Sequence, residues 1–243
     1  MIVYGINPVL EALRSGRVDT VSVSGRADAR VNAVIDAAKK AGVAIRRVDA
    51  GELDRASRGG VHQGVMAVVP DRETFSAEDL VRGAKGAPLI VVLDGVEDPH
   101  NVGAILRTVD AAGASGVVRQ ERHAAPLGGA TAKASAGAVS HVRIADVVNI
   151  SRALEELRDA GVWTIGLAGD AGKRYDEIDY TLPTALVVGA EGTGLRRLVR
   201  EKCDWLVSIP MQGHVQSLNV SVATGVVLFE AVRQRLNRSG SAT

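Results

Sequence analysis

From residue 88 onward, apolar strand-like runs alternate with helical stretches, and this alternation limits the fold more than any other feature of the chain. Pro88 to Asp94 holds the unbroken run Leu-Ile-Val-Val-Leu, the pattern of a strand covered on both faces. Trp205 to Ile209 is a second such run, stopped by Pro210. Val117-Val118, Val162 to Ala168 and Ala185 to Val188 read as further strands. Between them the spacing predicts helices: Asn101 to Ala112, ended by Gly113; Ala130 to Val139, dense in small residues; and Ser151 to Ala160, with Leu154 and Leu157 inward. Strands alternating with helices imply a parallel sheet with helices on both faces. Such sheets bind ligands at the carboxyl ends of their strands.

Residues 1–69 form a separate small α/β unit by the same reading. Asn7-Pro8 is expected to cap and open a helix through Leu10 and Leu13. Val18 to Val23 alternates as a strand, and Val31, Val34, Ile35 and Ala38 recur at helical spacing up to Gly42. Val43 to Val48 and Gly64 to Val69 are expected strands. Between these two runs the stretch from Arg55 to Gly64 is basic and glycine-rich, with Arg46 and Arg47 near in sequence. It suits either a phosphate backbone or a solvated turn, and spacing does not decide between them. The polar residues 70–87 read as a linker containing a short helix that starts at Ser76. Residues 88–243 then make the second domain.

Composition narrows the chemistry. The net charge of +1 gives no global attraction to nucleic acid. The single cysteine, Cys203, excludes a disulfide framework within the chain and fits a reducing compartment. No apolar run reaches membrane-helix length, so a cytoplasmic protein is expected. No G-x-G-x-x-G follows a strand, Leu167 stands where a P-loop needs glycine, and no histidine–cysteine set has zinc spacing. A nucleophile elbow is also missing.

Three strand-end loops carry what remains. The first runs from Asp94 through Asn101 to Arg107, and the second from Leu186 through Gly189, Glu191, Gly192 and Gly194. The third is Ile209-Pro-Met-Gln-Gly-His-Val-Gln-Ser217-Leu218-Asn219. On spacing alone Asn101 and Asn219 read as helix N-caps, Arg107 as a solvated helix residue, and Arg196, Arg197, Arg200 and Lys202 as a solvated basic face.

Taken together, these three blocks resemble, in order, the three motifs of the SpoU (TrmH-like) RNA 2′-O-ribose methyltransferases of the SPOUT superfamily. The runs Val3-Tyr4-Gly5-Ile6-Asn7-Pro8-Val9 and Gly60-Val61-His62-Gln63-Gly64-Val65 resemble the small ribosomal-protein L30e-like RNA-binding domain of one subgroup, that which methylates guanosine in 23S rRNA. The resemblance implies an α/β protein whose C-terminal domain carries a deep trefoil knot, a homodimer, and bent S-adenosylmethionine held by Gly189, Ile209 and Leu218. It implies catalytic roles for Asn101, Arg107, Glu191, Ser217 and Asn219, with RNA as substrate and no metal. A tRNA ribose, or RNA binding without catalysis, are the alternatives.

Overall fold

A computed structural model of the chain describes residues 2–14, 18–25, 28–57, 59–69, 73–127 and 129–240. It falls into two units, Met1–Glu73 and Thr74–Thr243.

The first unit runs β1 (Ile2–Tyr4), α1 (Ile6–Arg14), β2 (Thr20–Ser24), α2 (Ala29–Lys40), β3 (Ala44–Val48), α3 (Ala50–Ser57) and β4 (Val65–Val68). Its four-stranded sheet has the order β1-β4-β2-β3, with β2 and β3 parallel and the other pairs antiparallel. Val21, Val23, Val65 and Ala67 face Val9, Leu13, Val31 and Val34 across an aliphatic core. Asp28 caps α2 through the N–H groups of Arg30 and Val31, both at 2.9 Å. α1 opens earlier than the Asn7-Pro8 pair suggests. Val9 N–H bonds the Gly5 carbonyl at 3.1 Å, and Ile6 N–H donates to Gln63 Oε1 at 3.1 Å. Pro8 therefore sits within the first turn, where no intrahelical donor is needed. α3, absent from the sequence reading, takes in Arg55 to Ser57 of the stretch expected to be a glycine-rich loop, and it buries Leu53. Arg58 of that loop, and residues 70–72 of the expected linker, lie outside the described residues.

The second unit begins with α4 (Ala77–Arg82), held by a capping box in which Asp79 N–H donates to Ser76 Oγ and Ser76 N–H to Asp79 Oδ2. Ala77 and Leu80 are buried in this unit's core, so the division falls at residue 73 rather than across the whole of 70–87. Then follow β5 (Leu89–Asp94), α5 (Pro99–Ala111), β6 (Gly116–Gln120), α6 (Gly129–Ala134), β7 (Ile144–Val147), α7 (Ile150–Asp159), β8 (Trp163–Leu167), β9 (Lys173–Arg174), β10 (Thr184–Gly189), α8 (Arg197–Lys202), β11 (Trp205–Ser208) and α9 (Val220–Gly240). The seven strands pair in parallel throughout, in the order β7-β6-β5-β10-β8-β11-β9.

Both faces of β5 are buried, which is why its apolar run is unbroken: Val91 and Leu93 meet α5 and α9, while Ile90 and Val92 meet α4 and α7. Each such side chain contributes about 1.5–3 kcal/mol relative to exposure. The small-residue helix expected to reach Val139 stops at Ala134, because Ala136 (φ 50°) and Gly137 (φ 91°) turn left-handed before a short 3₁₀ turn at Ala138–Ser140. Among the described residues, no helix is long and apolar enough to cross a membrane.

Candidate active site

Three strand ends converge. β10 pairs with β5 in the register Gly189↔Asp94, which sets the loops after these two strands side by side. β11 adjoins β8 on the far side of β10, and its loop leads to Asn219 and α9.

The cap of α5 is Asp98, not Asn101. Asp98 accepts from the N–H of His100 at 3.1 Å and of Asn101 at 3.3 Å, with Pro99 at the first helical position. Asn101, 6% exposed, is thereby freed for another partner. Asn219 does cap: its Oδ1 accepts from Ser221 N–H at 2.9 Å, Ser221 Oγ at 2.6 Å and Val222 N–H at 3.4 Å. With the oxygen committed to the helix, the NH₂ must point the other way. It donates to Asn101 Oδ1 at 2.9 Å and to Glu191 Oε1 at 2.5 Å. One amide thus binds all three loops and begins a helix.

This cluster rims a cavity of about 510 Å³ at the carboxyl ends of β8, β10 and β11. Gly189, Ile209 and Leu218 line it, as do Glu191, Ser217 and Asn219. At Gly189 a Cβ would lie 2.1 Å from the carbonyl carbon of Gly194, so any side chain there would push the 190–195 loop away. The volume suits a cofactor-sized ligand: Leu167, Val188, Ile209 and Leu218 offer apolar wall for an adenine, and Asp170, Glu191, Gln216 and Ser217 offer polar anchors for its sugar and charged end. The residues therefore fit S-adenosylmethionine.

Arg107 stands apart. It is exposed on α5, outside the cavity lining, and pairs with no acid among the described residues. The basic residues around α8, by contrast, are each neutralised. Arg197 pairs with Glu201 at 2.8 Å, Arg200 with Asp170 at 2.8 Å, and Lys202 with Glu155. Hydrogen bonds from Arg200 and Lys202 hold the Asp170 and Glu155 carboxyls below the usual carboxylate range. Arg196 reaches the buried Asp94, with Nε at 2.6 Å and its backbone N–H at 2.8 Å. Sequence reasoning missed this pair and the wall segment Leu167 to Asp170. The segment follows β8, and its position at a strand's carboxyl end was the available signal.

Known proteins match this arrangement. Residues 88–229 match the SpoU rRNA Methylase family, and residues 2–75 the RNA 2′-O ribose methyltransferase substrate-binding family. The chain is 44% identical to the 23S rRNA (guanosine-2′-O-)-methyltransferase RlmB of Pseudomonas aeruginosa, over 96% of each chain. It is 42% identical to the putative TrmH family tRNA/rRNA methyltransferase YacO of Bacillus subtilis, over 96% of this chain and 95% of that one. The SpoU methyltransferase AviRb of Streptomyces viridochromogenes, solved in complex with the cofactor AdoMet, superposes with a TM-score of 0.67 at 28% identity, covering 97% of this chain and 90% of that one. The chain belongs to the SpoU rRNA methylase family and is an S-adenosylmethionine-dependent RNA methyltransferase.

Proposed function

We propose that the chain methylates the ribose 2′-hydroxyl of a guanosine in 23S rRNA. The observation that carries this reading is the Asn101–Asn219–Glu191 network at the mouth of the cavity lined by Gly189, Ile209 and Leu218. RlmB relatives that share 44% identity over nearly their whole length favour rRNA over a tRNA ribose. The matched catalytic residue types argue against a binding protein without turnover.

Bound S-adenosylmethionine supplies an electrophilic methyl group. The protein's part is to hold the 2′-oxygen in line with it, so positioning supplies much of the rate. A guanidinium is a poor general base, so the role of Arg107 is electrostatic. Arg107 lies outside the cavity lining, so its part is played through the bound RNA: unpaired among the described residues, it is free to clasp the phosphate of the target nucleotide and, with the RNA seated, to stabilise negative charge growing on the attacking oxygen. Ser217, exposed beside Leu218, orients groups around that oxygen, with Asn101. Asn219 fixes the Glu191 carboxylate at the rim, facing the ribose or a basic group of the ligand.

The functional unit on this reading is a knotted homodimer in the cytoplasm. The strand order β5-β10-β8-β11, in which a later strand enters between two earlier ones, is consistent with a knot. Support for the dimer comes from α9: one side is buried through Val220, Val227, Leu228 and Ala231, while Val222 (52%), Phe229 (50%) and Leu236 (67%) recur at heptad spacing in the open.

Incubation with methyl-labelled cofactor and unmodified 23S rRNA or tRNA tests the reading. Label should appear in 23S rRNA and protect one phosphodiester from alkaline cleavage. Label on a base, on tRNA alone, or on neither RNA overturns it.

A further inference from the structure

Tyr4 is the one aromatic residue between Met1 and Glu73. The aliphatic core of that unit is built without it, and it stands 38% exposed on the edge strand β1. Its hydroxyl bonds no described residue. Beside it lies a hollow lined by Ile2, Tyr4, Ala56, Ser57, Gly59 and Gly60. The ring's hydroxyl end rests against Gly60, where a Cβ would come within 2.6 Å of Cε2, Cζ and Oη.

The loop that forms the other wall is pinned on both sides. Ser57 Oγ donates to the Gly60 carbonyl at 3.1 Å, and Gly60 N–H returns a bond to the Ser57 carbonyl at 3.1 Å. His62 Nε2 bonds Asp54 at 3.0 Å, and Gly64 N–H donates to His62 Nδ1 at 3.0 Å. The hollow is thus preformed. Across the sheet, the register places Tyr4, Met66, Ser22 and Arg46 in one row on one face. Arg46, two-thirds exposed, makes a 3.7 Å ion pair with Glu52 and no other among the described residues.

We propose that this hollow is a nucleobase subsite, in which Tyr4 stacks on one unpaired base of the RNA substrate while Arg46 faces its phosphate backbone. The proposal rests on the reading of this chain as an RNA methyltransferase and adds where the N-terminal unit grips. An aromatic face accepts any base, unpaired RNA loops present such faces, and an exposed arginine supplies the phosphate contact. Ile2 (45%) and its cross-strand neighbour Val68 (38%) extend the apolar floor.

Full-length Tyr4→Phe, Tyr4→Trp, Tyr4→Leu and Tyr4→Ala variants test it by affinity for unmodified 23S rRNA transcript, cofactor affinity, melting temperature and oligomeric state. Phe and Trp should bind RNA as wild type does. Leu and Ala should weaken RNA binding about 5- to 150-fold with cofactor affinity unchanged. Leu binding as tightly as Phe removes stacking. A change of oligomeric state in Tyr4→Ala at unchanged RNA affinity would make the hollow a contact between chains and end the proposal. Wild type that methylates rRNA while Tyr4→Ala binds it equally well sinks the subsite alone; wild type that neither binds nor methylates RNA sinks both readings.

Discussion

The side-chain amide of Asn219 donates to Asn101 Oδ1 at 2.9 Å across 118 residues of sequence, while its own oxygen begins α9. Fold and site share this one group, and an isosteric change separates them. Asn219→Asp keeps the capping oxygen, and aspartate caps as well as asparagine, so α9 keeps its start and the melting temperature should fall far less than transfer does. The NH₂ is replaced by an oxygen, so Glu191 loses its donor and is repelled by a second carboxylate. A carboxylate displaced by even about 1 Å costs methyl transfer on the order of a hundred-fold. Labelled-methyl incorporation measured beside thermal melting decides it: equal losses in both would assign Asn219 to the fold alone.

Arg107 offers the converse separation. Because it is exposed and unpaired among the described residues, Arg107→Ala should change stability by no more than about 0.5 kcal/mol. Transfer should be abolished with cofactor affinity nearly intact, and Arg107→Lys should recover little, since an ammonium lacks the planar fork that clasps phosphate. Calorimetric cofactor titration alongside single-turnover rates checks this; cofactor affinity falling in step with the rate would overturn the assigned role.

What the sequence disclosed follows from where each signal is physically written. β5 and β10 were legible because strands buried on both faces must be apolar throughout, and the loops at their ends were therefore placed; β11 was read from its apolar run before Pro210, although only its Val207 is buried. β7 and β9 were not read: Asp146 breaks the apolar run of β7, and β9 is only two residues long. Asn101 was misread as a cap because Asp98-Pro99, a stronger cap-and-proline pair, lies just before it. Its real partner is set by tertiary packing, which no local spacing records. The resemblance to the methyltransferase motifs named Asn101, Glu191 and Asn219, but only the folded chain shows one amide joining them.

Leu218 lines the cavity while remaining 36% exposed, so a ligand there covers apolar surface that is now wet. Leu218→Asp removes that gain and sets a charge in its place. Forfeiting about 1.5–3 kcal/mol of burial corresponds to cofactor affinity weaker by about 10- to 150-fold. Equilibrium dialysis with labelled cofactor reads it directly, and an unchanged Kd would take Leu218 off the binding wall.

The Asp94–Arg196 pair yields an asymmetric prediction. The Asp94 side chain is fully buried and that of Arg196 is half exposed, so the two partners differ in what they leave behind. Asp94→Asn removes the charge, still accepts the Arg196 backbone N–H, and lets the guanidinium turn to water. Arg196→Ala strands a buried carboxylate, which costs up to about 3–5 kcal/mol. Urea unfolding should therefore rank Arg196→Ala well below Asp94→Asn. The reverse order would mean that the pair contributes little and that loop packing at Gly189 holds the 190–195 segment unaided.

Cys203 gives a pH test of the core beside that loop. Burial, aided by the nearby Asp204 and Asp94 carboxylates, pushes its thiol from 9.0 up to about 12, and its Sγ bonds the Val199 carbonyl at 3.3 Å. In the unfolded chain the thiol ionises near 9, while in the folded chain it stays neutral until about 12. The unfolded state therefore binds fewer protons across this window. The stability contributed by the neutral, buried thiol is whole below pH 9 and is lost as the pH rises toward 12. Urea unfolding of wild type and Cys203→Ala at about pH 8 and about pH 10.5 isolates it: the stability gap in favour of wild type should narrow by up to about 2 kcal/mol at the higher pH. A gap that stays constant would show that the thiol does not titrate differently in the two states.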